Sequence, residues 1–164
     1  MKYSIQDERF ASIASLEAQK STIPKKHGCI AVLSGKIIAK GHNSYRTYSK
    51  DGFITNCCSC HAEIDVLRKC SKINKINNIN LYIVRISDIG EFRDSTPCNT
   101  CITTMKKMKI KYIIYSIFNN LVKCKLEHLY NKHMTEGAKA IANNSVYFEK
   151  KGNYIVFRDN LKHS

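Results

Sequence analysis

At 164 residues the chain is long enough for one domain that buries about two-thirds of its unfolded surface, and its hydrophobic content of 43% is ordinary for a globular protein. No apolar run approaches the ~20 residues of a membrane-spanning helix, and Asp7 and Glu8 stand where the apolar centre of a secretory leader would fall, so none is expected. The formal charge of +14 comes from 27 basic residues, only six of them arginine; it admits a polyanion as partner, although Lys, Ile and Asn share A/T-rich codons and a biased genome alone can produce it.

Residues 7–19 are predicted as a first helix, with Phe10, Ile13, Ala14 and Ala18 on one face and Ser4 or Asp7 as the cap. Two apolar strands, residues 27–33 and 36–40, flank Ser34-Gly35 and form a hairpin. The second runs into Gly41-His42-Asn43-Ser44, a loop at a strand end, where ligands often bind. Residues 47–59 are polar and turn-rich. A helix follows from His61, with Ile64, Leu67 and the stem of Arg68 facing inward.

Residues 81–86 make a strongly apolar strand, and residues 87–96 a loop. A helix opening at Pro97-Cys98 continues through residues 103–107, with Ile102, Met105 and Met108 toward the core. Residues 110–117 form the fourth strand. A turn at Phe118-Asn119-Asn120 leads into residues 121–126 as an antiparallel fifth strand, in preference to a helix and a parallel one. Residues 127–142 are predicted as a helix broken near Gly137, and residues 145–148 and 154–157 as a last hairpin.

The chemistry concentrates in His61-Ala62-Glu63 and Pro97-Cys98-Asn99-Thr100-Cys101. Zinc takes four tetrahedral ligands from Cys sulfur and His nitrogen; a catalytic site supplies three and leaves one position to water. His61, Cys98 and Cys101 make three. The i, i+3 spacing of the cysteines puts both sulfurs on one side of a helical turn, and Pro97 suits the start of that turn. A helix N-terminus also favours the thiolate that a metal needs. Glu63 lies roughly 200° around a helix from His61, so the two converge only if that helix aims its N-terminal end at the ion. Glu63 is then a group poised over the water, suited to general acid–base work.

His61-x-Glu63 followed by Pro97-Cys98-x-x-Cys101 resembles the zinc-dependent nucleobase deaminases, the cytidine and deoxycytidylate deaminase superfamily. The resemblance runs over about residues 24–116 and includes Gly41-His42-Asn43. It implies a three-layer α-β-α sandwich with a central mixed five-stranded sheet, plus a short C-terminal extension, with residues 1–164 as a single domain. It also implies Zn2+ held by His61, Cys98 and Cys101, with Glu63 passing protons from water to the ring nitrogen and the departing amine. Asn43 and Ala62 fall at substrate-binding places of the family pattern, and members commonly assemble as homo-oligomers. The implied reaction is hydrolysis of a cytosine nucleotide or nucleoside to the uracil product with loss of ammonia. A base within RNA or DNA is the alternative substrate.

Cys57-Cys58-Ser59-Cys60 contains a second Cys-x-x-Cys. Four thiolates from Cys57, Cys60, Cys98 and Cys101 would close a structural zinc site, leaving a basic module that binds nucleic acid. That reading leaves His61 and Glu63 unexplained. Tyr45, Arg46 and Tyr48 are candidates to stack a base or pair a phosphate. Eight cysteines without a leader point to thiols and metal in a reducing compartment, the cytoplasm, and not to a disulfide framework.

Overall fold

In a computed structural model of the chain, the structure describes residues 1–73, 77–130, 133–144, 146–151 and 154–159, the last two stretches as backbone only. Five strands form the body of a mixed sheet in the order β2 (Lys36–His42), β1 (Lys26–Leu33), β3 (Ile79–Ile86), β5 (Ile110–Ile117), β6 (Asn120–Lys125). A sixth, the two-residue β4 (Phe92–Arg93), pairs with the end of β3 that β5 leaves open. Only β3 and β5 run parallel. The β1–β2 turn puts Ser34 and Gly35 both at positive φ (49° and 75°), the backbone that a two-residue hairpin loop needs. The β5–β6 hairpin, with Ile117 opposite Asn120, makes the fifth strand antiparallel as expected.

Strand alternation sorts the core into two layers. On one face Ile30, Val32, Tyr82 and Val84 meet Phe10, Ala14 and Ala18 of helix α1 (Ile5–Ala18). On the other, Cys29, Ala31, Leu81 and Ile83 meet Val66, Leu67, Ile102 and Met105 of α2 (Ala62–Ser71) and α3 (Asn99–Lys107). The result is the expected α-β-α sandwich with both motif-bearing helices on the same face. α1 lies so close to β1 that a Cβ on Gly28 would collide with the carbonyl of Ala14.

Ser4 caps α1 in a capping box with Asp7. Asp7 is itself buried, accepting from Tyr82 Oη at 2.8 Å and from Lys123 Nζ at 2.8 Å.

Two expectations change. The buried side of α2 is Ala62, Glu63, Val66, Leu67 and Cys70; Ile64 is only partly buried, and Arg68 turns to Asp51 at 2.6 Å. Residues 127–142 hold no continuous helix: a single 3-10 turn at Leu126–His128 is followed by α4 (Glu136–Ala142). Gly137 therefore lies in the first turn of α4 instead of breaking a helix. α4 buries no residue, so no apolar stripe was available to define it. The C-terminal hairpin is present as β7 (Val146–Lys151) and β8 (Tyr154–Asp159), which form their own two-stranded sheet. Residues 152 and 153 of its expected turn, and residue 145, lie outside the described residues. No helix among the described residues is long and apolar enough to cross a membrane.

Candidate metal centre and pocket

His61 and Cys98 occupy equivalent places: each is the N-cap residue of its helix, in extended backbone, with no side-chain cap bond of its own. The two helix N-termini therefore open toward the same space, which is what allows Glu63 to approach from the far side of α2. Pro97 falls one residue before the cap, not in the first turn, and is fully buried. The strand-to-helix loop that delivers Cys98 is held by two buried hydroxyls. Ser95 Oγ donates to the Ile83 carbonyl at 2.8 Å and accepts from Ser116 N–H at 2.9 Å. Ser116 Oγ donates to the Arg93 carbonyl at 2.7 Å. On the other side, Ser44 and Cys60 exchange backbone hydrogen bonds (3.0 and 2.9 Å), tying the end of β2 to the start of α2.

The donor atoms of His61, Cys98 and Cys101 all lie within 4.8 Å of one another. His61 Nδ1 is 3.2 Å from Cys101 Sγ and 3.6 Å from Cys98 Sγ. Tetrahedral zinc, with Zn–S near 2.3 Å and Zn–N near 2.0–2.1 Å, spaces such N and S ligands about 3.5 Å apart, so the residues fit the ion. Among the described residues this is the one group of three or more metal-binding side chains that meets. The four-thiolate alternative is not assembled: Cys60 Sγ lies against the His61 carbonyl at 3.4 Å, and Cys57 Sγ against that of Thr47 at 3.9 Å.

The ionisations of these groups are coupled to one another. Cys98 is pulled down to about 4, first by the Cys101 thiol and then by His61, against the effect of burial. Cys101 is pushed up by its hydrogen bond to Cys98 and by burial. Burial acts to lower His61, but Cys98 and the Glu63 charge outweigh it and bring it up to about 9. Glu63, 4% exposed, is raised by burial, with His61 opposing.

A cavity of about 680 Å³ opens beside these groups, lined by His61, Ala62, Glu63 and Cys98 together with Asn43, Lys25, His27 and Arg85. Asn43 is buried, its Oδ1 accepting from His27 N–H at 2.9 Å and its Nδ2 donating to the Lys25 carbonyl at 2.8 Å. Burial pulls His27 down to about 4, leaving a neutral ring. Both expected substrate positions, Asn43 and Ala62, are thus on the cavity wall.

Tyr45, Arg46 and Tyr48 are not: Tyr45 is exposed, and Arg46 Nε donates to the Tyr48 carbonyl at 2.9 Å. The wall also includes His133, Thr135 and Glu136, which sequence patterns did not single out. The His133 carbonyl accepts from Asn99 N–H at 3.3 Å, bringing that segment to the α3 N-terminus.

A mixed sheet flanked by helices, with one imidazole, two thiols and a buried carboxylate at two helix N-termini, defines a zinc-binding deaminase domain. The chain belongs to the family described as the cytidine and deoxycytidylate deaminase zinc-binding region, whose model matches residues 4–117. No curated protein matches it significantly. Among solved structures, dCMP deaminase from the cyanophage S-TIM5 in complex with dCMP and dUMP is similar, at 24% identity and TM-score 0.53 over 70% of this chain and 83% of that one. Cytidine deaminase from Burkholderia pseudomallei is similar at 15% identity and TM-score 0.54, over 77% of this chain and 94% of that one. At these identities the likeness is one of fold.

Proposed function

We propose that the chain is a zinc-dependent aminohydrolase that converts a cytosine nucleotide or nucleoside, of the dCMP or cytidine type, to the uracil product. The observation that carries this reading is the placement of a buried carboxylate, Glu63, on the wall of the cavity that His61 and Cys98, two of the three converging donors, also line. Zinc held by His61, Cys98 and Cys101, when bound, supplies the Lewis acidity that makes a water nucleophilic near neutral pH.

Glu63 would take a proton from the attacking water and deliver it to the ring nitrogen, then pass the second to the amine. A C–O bond forms at the amine-bearing carbon, the C–N bond breaks, and ammonia leaves. Burial suits Glu63 to this work, because it raises the carboxyl and so makes it a better base than an exposed glutamate. Ala62 and Asn43 line the cavity, which supports assigning them to the base and the sugar.

One domain over residues 1–164 carries the activity. Eight free cysteines suit a reducing, cytoplasmic setting, and the homo-oligomer common in the family is the expected assembly. A base within a polynucleotide is the second reading, favoured by a groove of about 590 Å³ lined by Lys106, Lys109, Lys111 and Lys125. That groove lies at the C-terminal end of α3, roughly 13 Å from Cys98 by helix length.

The test is ammonia release by zinc-loaded protein from cytidine, deoxycytidine, dCMP, a tRNA anticodon stem–loop and single-stranded DNA. Turnover of the free pyrimidines is expected. Turnover of the polymers alone would favour the second reading, and inertness toward all five would end both.

A further inference from the structure

The sheet face that carries the metal helices changes character along its length. Successive cross-strand pairs of β1 and β3 are Ala31–Leu81, Cys29–Ile83 and His27–Arg85. The first two are buried and apolar; the last is polar and lines the cavity. Arg85 is held there by its backbone, its N–H donating to Ser116 Oγ at 3.0 Å.

Its side chain is in a different position. The Nε is buried and has no hydrogen-bond partner among the described residues. The acids on the cavity wall other than Glu63 are already engaged: Asp94 accepts from Thr96 N–H and Oγ1 at 2.9 and 2.6 Å, and Glu136 pairs with Lys139 at 2.8 Å. Among the described residues no ion pair reaches Arg85.

Arg85 as a whole is half-buried, but its guanidinium carries a fixed charge, and holding the Nε out of water without a partner is costly. Its planar fork of donors matches a phosphate in two parallel hydrogen bonds. Lys25 adds a second positive charge to the same wall. We infer that Arg85 recognises the phosphate of a nucleoside monophosphate substrate, a specificity role that rests on the deaminase reading above and names its substrate class.

The experiment is calorimetric binding of dUMP and deoxyuridine, which need no turnover, and of a deoxycytidine-containing single strand, to the zinc-loaded protein and to Arg85→Met and Arg85→Lys. The native protein should bind dUMP at least about 30-fold more tightly than deoxyuridine. Arg85→Met should bring the two within about threefold of each other by weakening dUMP alone, while Arg85→Lys restores part of the preference. Equal loss of both ligands, or an unchanged ratio, would overturn the inference. So would a loss confined to a deoxycytidine-containing single strand, which would reassign Arg85 to a polymer backbone. Should Arg85→Met fail to show a folded melting transition, Arg85→Lys carries the comparison. A phosphate preference that depends on Arg85 in a protein inert toward every cytosine substrate would refute the reaction and leave the phosphate site standing.

Discussion

His61 Nδ1 lies 3.2 Å from Cys101 Sγ across 40 residues of chain. That contact depends on two helices beginning at the same place, one after β2 and one after the β3–β4 ribbon. It also separates the cysteines that matter to the metal from those that do not. Native protein should carry about one zinc per chain, and His61→Ala or Cys98→Ser should carry almost none. Cys57→Ser combined with Cys60→Ser should keep the full amount, measured by mass spectrometry under native conditions.

Glu63→Gln separates chemistry from metal binding. Zinc content should be unchanged, and turnover should fall by roughly 10²–10⁴-fold. Because the native carboxylate is buried at 4% exposure, removing its charge relieves a desolvation cost, so the melting temperature should hold or rise. A variant that loses zinc along with activity would make Glu63 a ligand and contradict the assignment.

Asp7 links the α1 cap to the sheet, and its contribution should depend on pH. Burial acts to raise its carboxyl, but hydrogen bonds from Lys123, Ser4 and Tyr82 outweigh it and hold the group below its ordinary value of 3.8. A depressed folded-state value means the stabilisation is complete above the unfolded value and is lost as pH falls through the folded one. The native protein should exceed Asp7→Asn by about 2 kcal/mol at neutral pH. Urea titrations should find that gap closing only below pH 3.8; a gap that closes nearer pH 6 would point to a different group.

Gly28→Ala tests the contact between α1 and β1. A methyl group there meets the Ala14 carbonyl and the Ala18 amide, and backbone cannot swing aside as a flexible side chain does. The expected cost is about 3 kcal/mol, read from the denaturation midpoint. Gly35→Ala on the open β1–β2 turn meets nothing within 4 Å, and so should pay only for its positive φ.

Much of this was legible in the residues. The i, i+3 cysteines, the two hairpins at Ser34-Gly35 and Phe118-Asn119, and the apolar alternation of β3 each follow from local geometry. The inward side of α2 was misjudged because one of its buried members, Glu63, does not read as apolar. The pattern slid instead to Ile64 and Arg68. β4 is two residues long, below what any periodicity can mark. The phosphate candidate shifted from Arg46 to Arg85 for a related reason: a charged residue in an otherwise apolar strand announces itself, but which wall it reaches depends on the pairing of His27 with Arg85. The contribution of residues 133–136 to the cavity comes from a loop folding over a helix end, and carries no local pattern.

The two intervals in the donor set obey different constraints. Cys98 and Cys101 are bound to each other by helical pitch, so adding or deleting one residue between them would turn a sulfur away from the ion. The 37 positions from His61 to Cys98 are governed instead by where two strands end. One bend within them, residues 87–91, closes on itself through the Ser87 N–H to Glu91 carbonyl bond at 2.9 Å. Extra length spliced into that bend would leave the reaction chamber intact, which makes it the natural point at which to attach a fluorophore or an affinity tag.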